Sequence, residues 1–475
     1  MRAGSLRILW ILGVMAAVSA SVGCGSSSPS GGPGSRDGGV GDDATARTDT
    51  GSTSPLDSGS TGATDGGSTP SNDAGPSVDA GADASSKAFS GLHAVMGSLG
   101  RAGSLADKDG HAVVLHGVDE SGTENFCTTW GPPAVVVSPP NGPSPLTQDG
   151  LSAMKSWGVN AVRIPLNEDC WLGINGVATS VGGANYQAPI LAAINLITQT
   201  NDMYVILDLH FSAPGTTLPA SEGEMPDQDH TLTFWQQVAS AYKGNGSVIF
   251  DLFNEPHMSS GTLTQQFTCL LNGGADPSCA AVGISFTVEG MQDLVTAVRN
   301  EGASNLIMVS SPGYSSQLSL WPSFVPTDTL DPPNLAASWH VYDDQGGCTT
   351  DEASSATTLC STSSLGAEAV MNAGYPIVLG ETGYYSCSGT TGSTWWPFFL
   401  SWADAQGLGY FGWSWSSSNN PQLLASITPK GTSTTSFTYA PSAEGTIYQT
   451  YLGCIATKTV TPATSCTFLP STGCE

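Results

Sequence analysis

From about residue 88 onward, short apolar runs alternate with segments in which apolar residues recur at helical spacing. Apolar runs rich in Val, Ile and Leu and bounded by polar residues are typical of buried parallel strands, and the segments between them are long enough for crossover helices. The predicted strands are Ala112–Val118, Val159–Pro165, Met203–His210, Ser247–Asn254, Asn305–Ser310, Asn334–His340, Pro376–Glu381 and Gly409–Trp415. Eight strands, each followed by a crossover, predict an α/β protein with a (β/α)8 TIM barrel rather than an open sheet.

The crossovers and the segment before the barrel are less uniform than the strands. A hairpin is predicted over His93–Val114, with its turn at Asp107–Gly110. The fifth crossover, Ser311–Pro333, is rich in proline, so only a short helix is predicted there, around Ser315–Trp321. The other predicted helices are Leu146–Trp157, Ala188–Thr200, Thr231–Lys243, Thr287–Glu301, Ser363–Ala373, Thr394–Gln406 and Ser442–Leu452.

The residues that end the predicted strands are unusually polar or aromatic. In a (β/α)8 barrel the active site lies at the carboxyl ends of the strands, so these side chains should converge on one site. One such residue means little, because a charged residue at a strand end can serve a structural ion pair. The set is Asp119, Glu120, Arg163, His210, Asn254, Glu255, His340, Tyr342, Glu381, Trp413 and Trp415.

The N-terminal segment has the pattern of an export signal. Arg2 and Arg7 are followed by an apolar run, Ile8–Val18, that is too short to span a bilayer. Two processing sites compete: Ser21–Cys24 resembles a bacterial lipobox, in which Cys24 would be lipidated, and Val18–Ala20 fits ordinary cleavage after small residues.

The segment that follows the signal is predicted to be a linker. Residues 25–86 are almost entirely Gly, Ser, Thr, Asp, Ala and Pro, and such a composition cannot bury enough apolar surface to offset chain entropy. The predicted organisation is therefore a signal peptide at 1–24, a linker at 25–86, a catalytic barrel at 87–454 and a cysteine-containing tail at 455–475.

Cysteine content and net charge narrow the function. Of eleven cysteines, ten remain when Cys24 is set aside, and an even number in an exported chain suggests disulfides. Cys269 with Cys279 would close a short loop, and Cys454, Cys466 and Cys474 would pin the tail. The net charge of 13 − 40 = −27 argues against nucleic acid and anionic membranes as partners, whereas a neutral polymer is acceptable as a substrate.

The motifs at the strand ends resemble glycoside hydrolase family 5, the retaining cellulase-type barrel enzymes. Asn254-Glu255-Pro256 is similar to the family's strand-four signature, and Glu381-Thr382-Gly383 to its strand-seven nucleophile motif. The remaining similar stretches are Ala161–Pro165, Leu207–His210, His340–Tyr342, Trp413–Trp415 and Ala297–Asn305. The resemblance spans roughly Leu92–Leu452 in the family's order and implies hydrolysis of a β-linked polysaccharide, with no cofactor and no metal.

The resemblance implies that Glu255 is the acid/base and Glu381 the nucleophile. Retaining hydrolysis needs one protonated and one ionised carboxyl group about 5–5.5 Å apart, and the two must titrate differently. Arg163, one of three arginines after the linker, would keep Glu381 ionised, and the charge of Glu381 would favour the protonated form of Glu255.

Supporting roles follow from the same resemblance. Tyr342 would donate a hydrogen bond to the nucleophile, and Asn254 to the sugar 2-hydroxyl, while His210 and His340 would contact sugar hydroxyls or nearby carboxyls. Trp413 is expected to stack under the sugar, with Trp415 as the competing choice. Asp119 departs from the asparagine that relatives often carry.

Several loop residues keep a structural interpretation beside the functional one. Trp130, Trp171 and Trp321 could line further subsites but are expected to serve packing, and Glu124, Glu168 and Asp169 are explained equally well as solvated loop carboxylates. The sequence thus predicts an exported or surface-anchored monomeric endo-β-1,4-glucanase. A β-mannanase or β-1,3-glucanase of the same family, and a non-catalytic glycan-binding surface lipoprotein, remain as alternatives.

Overall fold

Eight parallel strands form a closed barrel in the computed structural model, which confirms the predicted fold. Neighbours in the chain are neighbours in the barrel, and the eighth strand pairs with the first through Tyr410 and His116. Barrel strands one to eight are His116–Asp119, Ala161–Asn167, Tyr204–Phe211, Val248–Asp251, Ile307–Val309, Leu335–Tyr342, Ile377–Gly383 and Gly409–Gly412.

The described residues are 89–98, 101–130, 146–274, 276–342, 366–384, 391–431, 433 and 436–457. The predicted signal peptide, Cys24, the linker and all but the first residues of the predicted tail lie outside these ranges. Every described residue belongs to one compact unit, Ala82–Glu475.

Helices surround the barrel, and several of them begin at a side-chain cap. The Thr262 side chain accepts from the Gln265 backbone amide, and the Gln265 side chain accepts from the Thr262 backbone amide, which is a complete capping box. No helix among the described residues is long and apolar enough to cross a membrane. The α-helices are Gln148–Ser156, Glu168–Leu172, Ala184–Asn195, Thr231–Tyr242, Leu263–Asn272, Pro277–Ala281, Met291–Asn300, Ala367–Asn372, Thr391–Gln406 and Ala443–Thr457.

The fifth crossover and two insertions differ from the prediction. The predicted helix around Ser315–Trp321 is absent: residues 315–320 form turns, and only a 3-10 turn, Trp321–Ser323, follows them, because Pro312 and Pro322 remove backbone donors. The sequence pattern also missed the helices of the fourth crossover before Met291 and an antiparallel hairpin, Leu424–Pro429 with Phe437–Pro441, after strand eight.

A small sheet and an apolar floor close one end of the barrel. His93–Val95, Ser104–Ala106 and Ala112–Val113 form a three-stranded antiparallel sheet, so the predicted first strand is divided between this sheet and the barrel. Apolar side chains of the sheet join the first inward side chains of the barrel strands in one buried cluster. These residues are Leu92, Ala94, Leu105, Leu115, Ala161, Ile206, Ile249, Leu306, Met308, Ala336, Val378 and Phe411.

Two disulfides lie among the described residues. Cys269–Cys279 confirms the predicted short loop and joins two helices of the fourth crossover. Cys127–Cys170 ties the segment after strand one to the short helix after strand two. Cys454 is also a disulfide cysteine, whereas Cys466 and Cys474 lie outside the described residues.

Candidate active site

A charged layer lies one inward position beyond the apolar floor. Because strand side chains alternate between the two faces, the residues two after Ala161, Ile206 and Ile249 also point into the barrel, and these are Arg163, Asp208 and Asp251. All three are fully buried. The floor thus excludes water from below, and the charged layer supports the strand ends above it.

Arg163 is the centre of this layer. Its guanidinium donates to Asp119 at 2.9 Å, to Glu381 at 2.8 Å and to Asp251 at 3.2 Å. It also lies 3.1 Å from Asp208. A planar guanidinium offers five N–H donors, which explains how one cation can be shared by four carboxyl groups. The fork fixes the position of Glu381 and makes Asp119, the departure from the family pattern, a partner of the arginine.

Glu255 and Glu381 face each other across the mouth of the barrel. Their side chains expose only 13 % and 6 %, and an oxygen of Glu255, a ring nitrogen of His340 and an oxygen of Glu381 all lie within 4.8 Å of one another. His340 Nδ1 shares a hydrogen bond of 2.7 Å with Glu255. Tyr342 donates its hydroxyl to Glu381 at 2.8 Å. Such a separation fits a retaining pair and is too short for a water held between the two groups, as inversion requires.

The two carboxyl groups have opposite pKa shifts. Burial, reinforced by the charge of Glu381, raises the pKa of Glu255 well above its usual value. Burial would also raise the pKa of Glu381, but His340, Arg163 and the hydrogen bond from Tyr342 outweigh it and lower that pKa. The surroundings of Glu255 therefore favour its protonated form, and those of Glu381 favour its ionised form.

A glycine makes room for His340. Gly380 lies at an irregularity in the pairing of strands six and seven, and a Cβ there would be 2.7 Å from His340 Nε2. Burial lowers the pKa of His340, against the opposing effect of the nearby charge of Glu381. Strand seven therefore bends next to the histidine and presents Glu381 toward Glu255.

His210 and Trp413 form one wall of the site. His210 Nδ1 pairs with Asp208 at 2.8 Å, and its ring lies parallel to Trp413 with centroids 5.6 Å apart. Although burial opposes protonation, Asp208, Glu222 and Glu124 raise the pKa of His210 to about 10. The wall therefore presents a cationic imidazole beside a partly exposed indole.

The remaining tryptophans are structural where the structure describes them. Trp415 is fully buried and packs edge-on against Trp157, with centroids 4.7 Å apart, and against Tyr439. Trp171 and Trp321 expose 2 % and 1 % and cannot line a subsite. The side chain of Trp130 lies outside the described residues.

The acidic loop residues are buried rather than solvated, so that interpretation is wrong. Glu168 accepts from the Ala213 amide and the Thr231 hydroxyl, and Glu124 from the Gly122 amide. Asn167 caps the helix after strand two through the amides of Asp169 and Cys170, which starts that helix inside the loop layer. This cap holds Glu168 and Asp169 in the interior.

An exposed aromatic residue lies beyond Glu255. Tyr314, with 49 % exposure, stacks on His257 with centroids 4.5 Å apart, and its amide donates to the Pro256 carbonyl. Tyr314 and Ser315 both have left-handed backbone, with φ of 58° and 56°. Ser315 donates its hydroxyl to the Asn254 carbonyl at 2.7 Å, so the turn also holds the strand-four motif. The strand-end rule missed Tyr314 because it follows a short, proline-broken run.

Asp208, Asp251 and Glu222 were also missed by the sequence reasoning. Asp208 and Asp251 interrupt apolar runs at the inward-facing position, a signal that parity along the strand could have found. Glu222 lies far from any strand end, in the loop after strand three, and no local pattern marks it. Its head group nevertheless lies 3.5 Å from His210 and 3.3 Å from Asn254.

Two groups of described residues converge closely enough to hold a metal ion. One is Glu255, His340 and Glu381 themselves, which are already engaged with one another and with Arg163 and Tyr342. The other is the exposed turn Asp107, Asp109 and His111, in which Lys108 already pairs with Asp109.

Comparisons with known proteins identify the family of the chain. The family model described as Cellulase (glycosyl hydrolase family 5) matches residues 107–419. A cellulase of Thermoanaerobacterium sp is 23 % identical over 239 residues, which are 50 % of this chain and 50 % of that protein. An endoglucanase of Bacillus sp. (strain KSM-635) is 27 % identical over 241 residues, 50 % of this chain and 21 % of the relative. The chain thus spans half or less of the length of these relatives.

A solved structure gives the same fold. The hyperthermophilic endocellulase from the archaeon Pyrococcus horikoshii superimposes with a TM-score of 0.51 at 17 % identity, covering 76 % of this chain and 99 % of that chain. At this identity the likeness supports the barrel alone.

Proposed function

Because the chain belongs to glycosyl hydrolase family 5, we propose that it is a retaining, endo-acting β-1,4-glucanase. Glu255 is the acid/base and Glu381 the nucleophile. The observation that carries the proposal is the buried carboxyl pair with oxygens within 4.8 Å and opposite pKa shifts.

In the first step Glu381 attacks the anomeric carbon while Glu255 gives its proton to the leaving oxygen, so the glycosidic bond breaks as the glycosyl–enzyme bond forms. Ionised Glu255 then takes a proton from water, which attacks the same carbon and releases Glu381. Arg163 and Tyr342 hold Glu381 in line through both steps, because each donates to a different oxygen of its carboxylate.

The walls supply the sugar contacts. Trp413 offers an apolar face beside His210, and Tyr314, whose amide donates to the Pro256 carbonyl, offers a second exposed ring. Asn254 Oδ1 accepts from Arg163 at 2.7 Å, so its amide nitrogen is the end that faces a sugar hydroxyl. The β-1,4-glucan preference rests on the relatives named cellulase and endoglucanase.

The test is release of reducing sugar from soluble β-1,4-glucan, β-1,3-glucan, mannan and xylan, with the anomer of the first product followed by NMR. We expect activity on β-1,4-glucan with retention. Glu255→Gln and Glu381→Gln should each lower kcat by about 10³-fold or more, since each removes one half of the proton and bond exchange. Glu224→Gln, which removes a carboxylate of the loop after strand three, is the matched control. Inversion, or full activity of either catalytic variant, would contradict the mechanism.

We further propose that the protein is exported and anchored through Cys24. The basic and apolar N-terminal run and the Ser21–Cys24 motif support this proposal. Mass spectrometry of the mature N-terminus tests it: a lipid-modified Cys24 is expected, and an unmodified terminus after Ala20 would contradict it.

A further inference from the structure

Glu222 brings a third carboxylate to the catalytic centre. It lies in the loop between strand three and the helix Thr231–Tyr242, and 36 % of its side chain is exposed. Its Oε1 is 3.3 Å from Asn254 Nδ2 and 3.5 Å from His210 Nε2. Its Oε2 has no hydrogen-bond partner among the described residues, so this acceptor oxygen is available to a ligand.

Both partners of Glu222 are fixed from behind. Asn254 Oδ1 accepts from Arg163, which has only donors, so Nδ2 must be the atom that points to Glu222. His210 Nδ1 is paired with Asp208, so Nε2 points to the same place. Two donors and one charged acceptor therefore meet at one point of the mouth. A sugar hydroxyl, which accepts and donates at once, matches this arrangement.

The position of Asn254 identifies the hydroxyl. Asn254 precedes Glu255 in the chain and is joined to Glu381 through Arg163, so it lies beside the carbon that Glu381 would attack. The hydroxyl adjacent to that carbon is the 2-hydroxyl, and hydrogen bonds to it strengthen in the oxocarbenium-like transition state.

We propose that Glu222 is a substrate-contacting residue that accepts a hydrogen bond from the 2-hydroxyl of the sugar at the cleavage point and so selects sugars in which this hydroxyl is free. The proposal rests on the proposed glycosidase function. A carboxylate is a stronger acceptor than a neutral oxygen, so the bond adds to the one that Asn254 donates to the same hydroxyl.

The charge environment supports this role. Burial and the neighbouring Glu255 and Glu381 raise the pKa of Glu222 to about 7, against the opposing effect of His210. Oε1 already meets two donors, His210 and Asn254, and a hydroxyl that donates to Oε2 would further favour the ionised form of Glu222.

The test uses an aryl β-cellobioside and its analogue that lacks the 2-hydroxyl on the sugar next to the aryl group. With the parent substrate, Glu222→Ala should lower kcat/KM by roughly 10- to 100-fold and Glu222→Gln by less, because the amide keeps an acceptor without the charge. With the 2-deoxy analogue the wild type is already slow, and both variants should match it within about threefold. Glu224→Gln should behave as the wild type with both substrates.

The outcomes are distinguishable. Equal fractional losses of kcat/KM on both substrates would mean that Glu222 acts on the protein rather than on the hydroxyl. Unchanged kcat/KM of Glu222→Ala would mean that Glu222 does not act at all. Either result overturns the inference and leaves the proposed function intact. If the wild type hydrolyses no glycan of the panel, the proposed function fails and this inference fails with it. Glu222→Gln keeps the size and shape of the side chain, so the variant should fold as the wild type does. Circular dichroism checks this.

Discussion

At the scale of single residues, the opposite titration of Glu255 and Glu381 depends on the groups around Glu381. The reactive form needs Glu381 ionised, and its pKa is lowered from a usual value of 4.5, so the acid limb of kcat/KM should lie below that pH. The alkaline limb belongs to Glu255, whose pKa is raised. Activity should therefore rise as Glu381 loses its proton and fall only as Glu255 loses its own.

Tyr342→Phe should move only the acid limb. The variant removes the hydroxyl that donates to ionised Glu381 at 2.8 Å, so the pKa of Glu381 rises and the acid limb moves to higher pH by about one unit. Profiles of kcat/KM against pH on a soluble substrate would measure both limbs. Tyr314→Phe changes the same atoms in a tyrosine outside this hydrogen bond and should leave the acid limb in place. If only the alkaline limb moved, Tyr342 would act on Glu255 rather than on Glu381, and the assignment would be wrong.

Gly380→Ala tests how closely His340 is held. The added Cβ would lie 2.7 Å from His340 Nε2 and 3.2 Å from Ser338 Oγ, so the imidazole must move and its bond to Glu255 is lost. A displacement of about 1 Å in a catalytic site lowers the rate about 100-fold, so kcat should fall by roughly that factor. Gly244→Ala, where a Cβ meets nothing within 4 Å, is the control and should be neutral. Normal activity of Gly380→Ala would show that His340 is dispensable.

At the scale of elements, the end of strand eight separates a sugar contact from a core residue. Trp415 is fully buried between Trp157 and Tyr439, so Trp415→Ala should lower the free energy of unfolding by about 3–5 kcal/mol. Trp413 is partly exposed beside His210, so Trp413→Ala should raise KM with a much smaller loss of stability. Urea denaturation and steady-state kinetics measure the two effects. If Trp415→Ala instead raised KM while Trp413→Ala lost the larger part of the stability, Trp415 would be the residue that stacks under the sugar.

The elements also show what the sequence could predict. The alternation of apolar runs and helical segments was sufficient for the barrel, and strand ends identified Glu255, Glu381, Arg163, His340 and Tyr342, because chain order fixes where those ends meet. Counting every second residue along the inward face of each strand would have added Asp208 and Asp251. Tyr314 and Glu222 come from loops whose paths depend on tertiary contacts, such as the bond from the Tyr314 amide to Pro256, and no local pattern encodes such contacts.

At the scale of the whole molecule, the barrel is built as layers along its axis. The N-terminal sheet and the apolar floor close one end, the charged layer around Arg163 comes next, and the catalytic pair lies at the mouth. Burying Asp119, Asp208 and Asp251 around a single arginine costs desolvation energy that the ion pairs only partly return. The layer is better understood as a rigid base for Glu381 and Asn254 than as a source of stability.

Buried carboxyls away from the site should make stability depend on pH. Glu168 is fully buried, and burial together with nearby Asp227 raises its pKa well above the usual 4.5. The folded protein then keeps a proton that the unfolded chain releases, so the free energy of unfolding falls as pH rises above that value, by up to about 1.4 kcal/mol per pH unit for one such group. Glu168→Gln has no proton to lose and can still accept from Ala213, so its stability should fall less steeply between about pH 5 and pH 8 and exceed that of the wild type at the upper end. Urea denaturation across this range measures the slope, with Glu224→Gln expected to retain the wild-type slope. If Glu168→Gln also kept that slope, the carboxyl would have to be ionised in the folded protein and paired with a donor other than Ala213 and Thr231.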